Sequence, residues 1–122
     1  MAMDTAYARV PPPPLGDQER LNRIAEEFKA GYEELESLGK AVTYFGSHTT
    51  PETEPMYQEA RALAREMAEA GFATVTGGGP GIMEAVNRGA ADAGGRSVGF
   101  SVKLQTQEPR NKFVHESVMF YY

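Results

Sequence analysis

The sequence predicts an α/β fold: a Rossmann-like parallel sheet with helices on both faces. Three observations lead to this prediction. Short β-prone runs alternate with amphipathic helical segments, glycine clusters separate them, and the chain of 122 residues has room for one domain. Strands that alternate with helices form βαβ units, whose strands are parallel and whose crossovers are right-handed.

Residues 1–39 are expected to precede the sheet. Residues 1–16 contain four consecutive prolines and are predicted to form a disordered tail, with a Pro-rich recognition segment as the alternative. Residues 17–38 are predicted to form an amphipathic helix, with Asp17 as N-cap and Gly39 after its end. Its apolar side chains recur every three or four positions: Leu21, Ile24, Phe28, Tyr32, Leu35 and Leu38.

Residues 40–122 are predicted to form the Rossmann-like part. The predicted strands are 41–45, 72–76, 97–102 and 117–122, and the predicted helices are 54–70, capped by Thr53, and 82–93. The apolar stripes of these helices are Met56, Ala60, Leu63, Ala64 and Met67 in the first, and Ile82, Val86, Gly89, Ala90 and Ala93 in the second. The chain stops inside an apolar strand, so we expect it to be the N-terminal portion of a longer protein.

Composition excludes several classes of protein. Without Cys, a disulfide scaffold, a thiolate metal site and a Cys nucleophile are excluded, and two distant His residues make a His-based metal site unexpected. The net charge of −5 argues against a nucleic-acid partner. No apolar run reaches the ~20 residues that span a bilayer, and no signal peptide opens the chain. We therefore expect a cytoplasmic protein with no metal, no cofactor and no membrane partner.

The strongest functional signal is a glycine-rich turn between the second strand and the helix that follows. It reads Gly77-Gly78-Gly79-Pro80-Gly81, followed by Ile82-Met83-Glu84. Glycines let a backbone approach a ligand closely, and a helix N-terminus offers free N–H groups and the positive end of its dipole. We expect a phosphate or another anion here; the alternative is a tight turn that needs glycine for its geometry alone.

Two common phosphate-binding motifs do not fit this turn. A Walker loop requires Gly-Lys-Ser/Thr, whereas Ile82 and Met83 follow Gly81. The G-x-G-x-x-G fingerprint fails because Ile82 or Glu84 stands where its last glycine is needed. A nicotinamide dehydrogenase is therefore disfavoured.

A second signal, Gly46-Ser47, follows the first strand. The carboxyl ends of parallel strands meet at one edge of a sheet, so these residues are expected beside the glycine-rich turn. The Ser47 hydroxyl and nearby N–H groups would then be further donors to the same anion.

Together these segments resemble the LOG (Lonely Guy) family, long labelled possible lysine decarboxylases. The resemblance covers about residues 40–122 and is carried by Phe45-Gly46-Ser47, Tyr57 and Ala60, residues 77–85, Gly94-Gly95 and Val98-Gly99. It implies a Rossmann-like fold, a homodimer or larger assembly, and a hydrolase of cytokinin biosynthesis. The reaction cleaves the N-glycosidic bond of AMP or a cytokinin riboside 5′-monophosphate, releasing the free base and ribose 5-phosphate.

The resemblance also implies roles for individual residues. The nucleotide-binding and phosphate-binding set is Gly46, Ser47, Gly77, Gly78, Gly79, Gly81, Ile82, Met83, Glu84 and Asn111. Met83 and Glu84 would lie near the ribose, and the alternative for Glu84 is a first-turn acid favoured by the helix dipole. Asn111 would lie in a polar loop near the nucleotide.

The catalytic residues of the family have no counterpart here. Its Pro-Gly-Gly-x-Gly-Thr-x-x-Glu motif and a preceding Arg do not occur up to Tyr122, so the catalytic residues are unknown and the 122-residue chain alone is expected to be inactive. A non-catalytic Rossmann-like protein that binds a nucleotide or molybdenum cofactor is the alternative, and a purely structural domain is a third. The family motif after Tyr122 would select the enzyme.

Overall fold

A computed structural model describes residues 16–102 and 109–121. Its elements, in chain order, are α1 (Asp17–Leu35), β1 (Ala41–Thr43), α2 (Pro55–Glu69), β2 (Ala73–Thr76), α3 (Ile82–Asp92), β3 (Ser97–Val102) and β4 (Glu116–Phe120). Apart from Gly16, the predicted tail lies outside the described residues, as does Tyr122 at the end of the predicted fourth strand. No helix within the described ranges is long and apolar enough to cross a membrane.

The four strands form one parallel sheet in the order β1-β2-β3-β4. Each crossover from β1 to β3 contains one helix, as βαβ units require. The glycine-rich turn lies at the carboxyl end of β2, next to the segment that follows β1. This is the edge at which parallel α/β sheets bind ligands.

Helices cover both faces of the sheet. Asn87 of α3 donates a hydrogen bond to Ser97 of β3, so α3 lies on the face to which Ser97 points. Phe100 points to the opposite face and is level with Val118 of β4. Gly31 of α1 packs against Val118 there. The predicted Rossmann-like α/β fold, with helices on both faces, is confirmed.

The best-packed part of the molecule is the contact between α2 and α3. Ala64 of α2 and Ala85, Val86 and Ala90 of α3 are fully buried. Gly89 lies so close to α2 that a methyl group there would overlap the carbonyl oxygen of Arg61. Small side chains thus allow the two helices to approach closely, and α3 carries the glycine-rich turn at its N-terminus.

Both predicted helix N-caps are wrong, and so is the predicted end of the first helix, because α1 ends at Leu35 with Glu36 as its C-cap, ahead of Gly39. The N-cap of α1 is Gly16, and Asp17 is the first helical residue, where the helix dipole favours an acid. The N-cap of α2 is Glu54 instead of Thr53, because Pro55 occupies the first turn and holds the residue before it in an extended conformation. Neither helix has a side-chain cap hydrogen bond.

The apolar stripe predicted for α2 is also partly wrong. Met56 and Leu63 are 58% and 50% exposed, whereas Tyr57 and Ala64, one position along the helix, are buried. Ala64 belongs to the predicted stripe and is confirmed as a contact residue, whereas the prediction is wrong for Met56 and Leu63 and omits Tyr57. The face that meets α3 is therefore shifted from the centre of the predicted stripe toward Tyr57.

Candidate functional site

Two backbone segments meet at the carboxyl edge of the sheet: Gly46-Ser47 and the glycine loop, defined here as residues 77–81. The N–H of Ile82 donates to the carbonyl oxygen of Ser47 over 2.9 Å. A methyl group at Gly46 would lie 2.6 Å from Cγ2 of Ile82, and one at Gly81 would overlap the Ser47 carbonyl. The structure brings together the two segments singled out in the sequence, at a distance that only glycine permits.

The backbone of the glycine loop is held on its inner side. Gly78 and Gly81 have φ of 77° and 70°, in the left-handed region that side chains disfavour. The N–H of Gly78 donates to Oγ1 of Thr76 over 2.9 Å, and the hydroxyl of Ser101 donates to the Gly77 carbonyl over 3.1 Å. The loop is therefore fixed to both β2 and β3.

A buried polar network continues from the loop into the protein. The Thr76 hydroxyl donates to Oδ1 of Asn87 over 2.7 Å, and Nδ2 of Asn87 donates to Oγ of Ser97 over 2.9 Å. Nδ2 of Asn111 donates both to the Gly79 carbonyl, over 2.9 Å, and to Oδ1 of Asn87, over 3.1 Å. These partners satisfy polar groups that would otherwise be costly to bury.

Sequence reasoning missed Asn87. It lies in the interior of α3, next to the buried Val86, and its own side chain is completely buried. Asparagine is a poor helix former, so an Asn at a core position of a helix that follows a glycine-rich turn was the signal that could have indicated it.

The first turn of α3 offers unused hydrogen-bond donors to the site. No side chain caps the helix, and within the described part of the chain the N–H groups of Met83 and Glu84 have no acceptor. Ala85 is the first residue bonded in the helical pattern, to the carbonyl of Gly81. Free donors at the positive end of a helix dipole suit an anion.

The side chain of Met83 lies over the glycine loop. A methyl group at Gly79 would lie 2.7 Å from Cε of Met83, and one at Gly77 would lie 3.2 Å from its sulfur. Met83 is thus one wall of the site, and its flexible thioether can move when a ligand enters. Glu84, in the same turn, is partly exposed.

The side chains of two other predicted site residues, Ser47 and Asn111, already have hydrogen-bond partners within the protein. Oγ of Ser47 lies 2.9 Å from Oγ1 of Thr49 and accepts the Thr49 N–H over 3.2 Å. Asn111 is buried, and its Oδ1 accepts the Phe113 N–H over 3.0 Å. A direct contact of either side chain with a nucleotide stays a prediction.

A charged cluster flanks the site on the outer side of α3. Arg88 donates to Oε1 of Glu52 over 2.7 Å, and its guanidinium lies 5.1 Å from the ring centroid of Phe113. Arg88 lowers the pKa of Glu52 by hydrogen bonding and charge, whereas burial raises the pKa of the nearby Tyr57 hydroxyl. Arg88 therefore links the loop before α2 to the segment after β3.

No metal site accompanies these groups: among the residues that the structure describes, no cluster of three or more His, Asp or Glu side chains could hold an ion. The side-chain donors that reach the glycine loop bond to its own carbonyls. The donors left for an anionic ligand are backbone N–H groups at the start of α3.

A family model covers this whole region. The model described as the SLOG cluster4 family matches residues 40–120, which include the sheet, α2, α3 and the glycine loop. The chain belongs to the SLOG cluster4 family. The SLOG superfamily includes the LOG proteins, so the resemblance is confirmed at the level of the superfamily, and SLOG membership indicates a nucleotide-related function.

Two further comparisons set this SLOG cluster4 chain against curated proteins and against solved structures. No match is found among curated proteins. Among solved structures, the chain is similar to the X-ray structure of TM1055, a target of the Northeast Structural Genomics Consortium, with 28% sequence identity and a TM-score of 0.49. The similarity covers 65% of this chain and 45% of that chain, so the chain spans less than half the length of TM1055.

Proposed function

We propose that the protein is a nucleoside 5′-monophosphate phosphoribohydrolase, which cleaves AMP or a cytokinin riboside monophosphate into the free base and ribose 5-phosphate. The observation that carries the proposal is the glycine loop beside Gly46-Ser47. The loop leads into the uncapped N-terminus of α3, where two N–H groups have no acceptor in the described chain. A 5′-phosphate would accept from these donors and lie at the positive end of the helix dipole.

The rest of the nucleotide would extend from the phosphate past the first turn of α3. Met83 lies over the glycine loop, and Glu84 follows it in the same turn, so these two side chains are proposed to contact the ribose. A carboxylate next to the phosphate suits hydrogen bonding to a ribose hydroxyl better than attack at the anomeric carbon. The likeness to LOG proteins supports a homodimer or larger assembly as the functional form.

Hydrolysis of the N-glycosidic bond needs more than this half of the site. The transition state resembles an oxocarbenium ion, which a carboxylate stabilises while a second group activates water. The family's Glu for these roles belongs to a motif, and its Arg precedes that motif; residues 1–122 contain neither. We therefore propose that residues 1–122 supply the phosphate half of the site, and that the family's carboxylate and Arg have no counterpart among them.

The test compares AMP with adenosine by calorimetry, in the wild type and in Gly78→Asp. We expect AMP to bind at least about tenfold more tightly than adenosine, since charge-assisted hydrogen bonds to the phosphate add to its affinity. A carboxylate in the glycine loop repels that phosphate and should abolish the difference. Gly94→Asp is the matched control, because Gly94 also has positive φ, at 68°, but lies at the other end of α3 with open space around it.

Four results decide the proposal. Equal affinities for AMP and adenosine in the wild type, or an AMP preference that survives Gly78→Asp, would contradict the phosphate site. Adenine release should be followed by chromatography in the same samples, with Glu84→Ala beside the wild type. Turnover by residues 1–122 that Glu84→Ala abolishes would place the catalytic acid in α3, and AMP binding by the complete protein without adenine release would favour a nucleotide-binding protein.

A further inference from the structure

We infer that Asn111, held in place by Asn87, is a positioning residue that orients the Gly79 N–H of the glycine loop toward the phosphate. The inference rests on the proposed function and deepens it. It assigns to Asn111 an indirect role, because its amide bonds to the loop itself and to the buried network behind the loop.

The first step concerns the peptide planes of the loop. The backbone N–H of Asn111 donates to the carbonyl oxygen of Gly78 over 2.8 Å. In a trans peptide the carbonyl and the next N–H point in opposite directions, and the described chain contains no cis peptide. The bond therefore turns the N–H of Gly79 away from Asn111, toward the outer side of the loop.

The second step concerns the next carbonyl. Nδ2 of Asn111 donates to the Gly79 carbonyl over 2.9 Å, and the residue after Gly79 is Pro80, which has no N–H. Asn111 thus bonds the carbonyls of both Gly78 and Gly79. The N–H of Gly79 therefore points to the outer side of the loop, while these two oxygens, which would repel a phosphate, are held inside.

The third step concerns what holds Asn111. Its second amide hydrogen goes to Oδ1 of Asn87 over 3.1 Å, and its Oδ1 accepts the Phe113 N–H over 3.0 Å. Asn87 is itself fixed between the Thr76 hydroxyl and Ser97. Because each polar atom of the Asn111 amide has a partner, the side chain has one favourable orientation.

A role in positioning can be separated from a role in stability alone. A purely structural residue, when replaced, destabilises the fold and changes the affinities for AMP and adenosine alike. A residue that orients the phosphate donors changes the affinity for ligands that carry a phosphate. The ratio of the adenosine and AMP dissociation constants is therefore the decisive readout.

The test is Asn111→Asp in the full chain, with AMP, adenosine and inorganic phosphate as probes. Aspartate keeps the acceptor for the Phe113 N–H, but it lacks both amide hydrogens and sets a carboxylate against the Gly79 carbonyl and Oδ1 of Asn87. We expect the affinity for AMP to fall about tenfold or more, as for the loss of charge-assisted hydrogen bonds. The affinity for inorganic phosphate should fall in parallel, whereas the affinity for adenosine should change by less than about twofold.

Two further variants keep the test decisive if Asn111→Asp does not fold. Asn111→Ala removes the same donors without adding charge, and we expect a smaller change in the same direction. Val118→Ala is the matched control, because Val118 is buried on the opposite face of the sheet, against α1. It should lower stability and leave the ratio of the two dissociation constants unchanged.

The outcomes separate this inference from the proposed function. If the wild type binds AMP no better than adenosine, the phosphate site fails and the inference fails with it. If the wild type prefers AMP and the Asn111 variants keep that preference, or lose affinity for both ligands equally, the phosphate site stands and the inference is overturned.

Discussion

The two faces of the sheet carry helices that look alike in sequence and pack very differently. On one face, α2 and α3 bury Ala64, Ala85, Val86 and Ala90 completely. On the other face, α1 buries only Gly31, and three of its apolar side chains are more than half exposed: Leu21, Phe28 and Tyr32. A helical apolar period predicts that a helix has a contact face, but the size of the side chains on that face decides how closely it packs.

The contacts of α1 explain its loose packing. Phe28 meets Phe120 of β4 with their ring centroids 5.6 Å apart, and Phe120 stacks on Phe100 at 6.1 Å. The end of β4 adds one hydrogen bond, from the Tyr121 N–H to Glu27 of α1. Large rings hold α1 at a distance from the sheet, whereas Gly89 brings α3 into contact with the backbone of α2.

The largest effect is expected from two helical glycines, one in each region. Gly89→Ala would overlap the Arg61 carbonyl and force α2 and α3 apart, so we expect a loss of about 3 kcal/mol of unfolding free energy. Gly31→Ala meets Val118 and Phe120 at 3.5 Å, an ordinary contact, and should gain up to about 1 kcal/mol from the higher helix propensity of alanine.

The measurement for this pair is chemical denaturation followed by circular dichroism. If Gly89→Ala lowers the unfolding free energy and Gly31→Ala raises it, α2 and α3 pack too closely to admit a methyl group, whereas α1 has room for one. Equal destabilisation by both variants would mean that α1 packs as tightly as α3, and the comparison would be wrong.

The next effect comes from two glycines with nearly equal backbone angles. Gly39, after α1, has φ of 69°, and Gly81, before α3, has φ of 70°. A methyl group at Gly39 meets open space, whereas one at Gly81 overlaps the Ser47 carbonyl. Gly39→Ala should therefore cost about 1 kcal/mol from backbone strain alone, and Gly81→Ala should cost about 1–2 kcal/mol more from the added overlap.

AMP binding should also distinguish Gly81→Ala from Gly39→Ala. Gly81→Ala disturbs the junction between the glycine loop and Gly46-Ser47 and should also weaken AMP binding, measured by calorimetry at a temperature where both variants are folded. Gly39→Ala should bind AMP as the wild type does. Equal stability losses in the two variants would show that the loop at Ser47 moves aside freely, against the close junction described here.

Glycines predict the bounds of some elements and not of others: the first helix ends at Leu35, three residues before the end predicted from Gly39. Gly94-Gly95 precedes β3, and its observed range of Ser97–Val102 agrees with the prediction. The contact face of α2 is predicted only in part, because Ala64 belongs to the predicted stripe whereas the buried Tyr57 does not. The apolar stripe of α1 is likewise predicted to be buried, whereas Tyr32, which belongs to it, is 72% exposed.

The candidate site also has one part that the sequence predicts and one part that it does not. The meeting of Gly46-Ser47 with the glycine loop follows from strand order alone, since β1 and β2 are parallel neighbours. The network of Asn87 and Asn111 joins residues far apart in the chain through hydrogen bonds that no local pattern encodes. The nucleotide-binding roles of Asn111 and of the loop residues stay predictions that the experiments above address.

The smallest effect concerns one ion pair in each region. Arg61 of α2 pairs with Asp92 of α3, and Arg96 pairs with Glu116 of β4 while also donating to the Ser37 carbonyl after α1. Arg61 lowers the pKa of Asp92, and Arg96 lowers the pKa of Glu116, in both cases by hydrogen bonding first. A lowered pKa stabilises the fold above the ordinary value of about 4, and this contribution is lost as the pH falls through the folded-state pKa.

Asp92→Asn and Glu116→Gln should each flatten the decline of stability between about pH 5 and pH 3, by about 1 kcal/mol or less because both pairs are partly exposed. The two variants should destabilise different parts of the molecule. At neutral pH, hydrogen exchange should quicken mainly in α2 and α3 for Asp92→Asn, and in β4 and α1 for Glu116→Gln, since Arg96 ties β4 to the end of α1. Quickened exchange across all three helices in both variants would mean that the two faces unfold as one unit, so that their different packing has no counterpart in local stability.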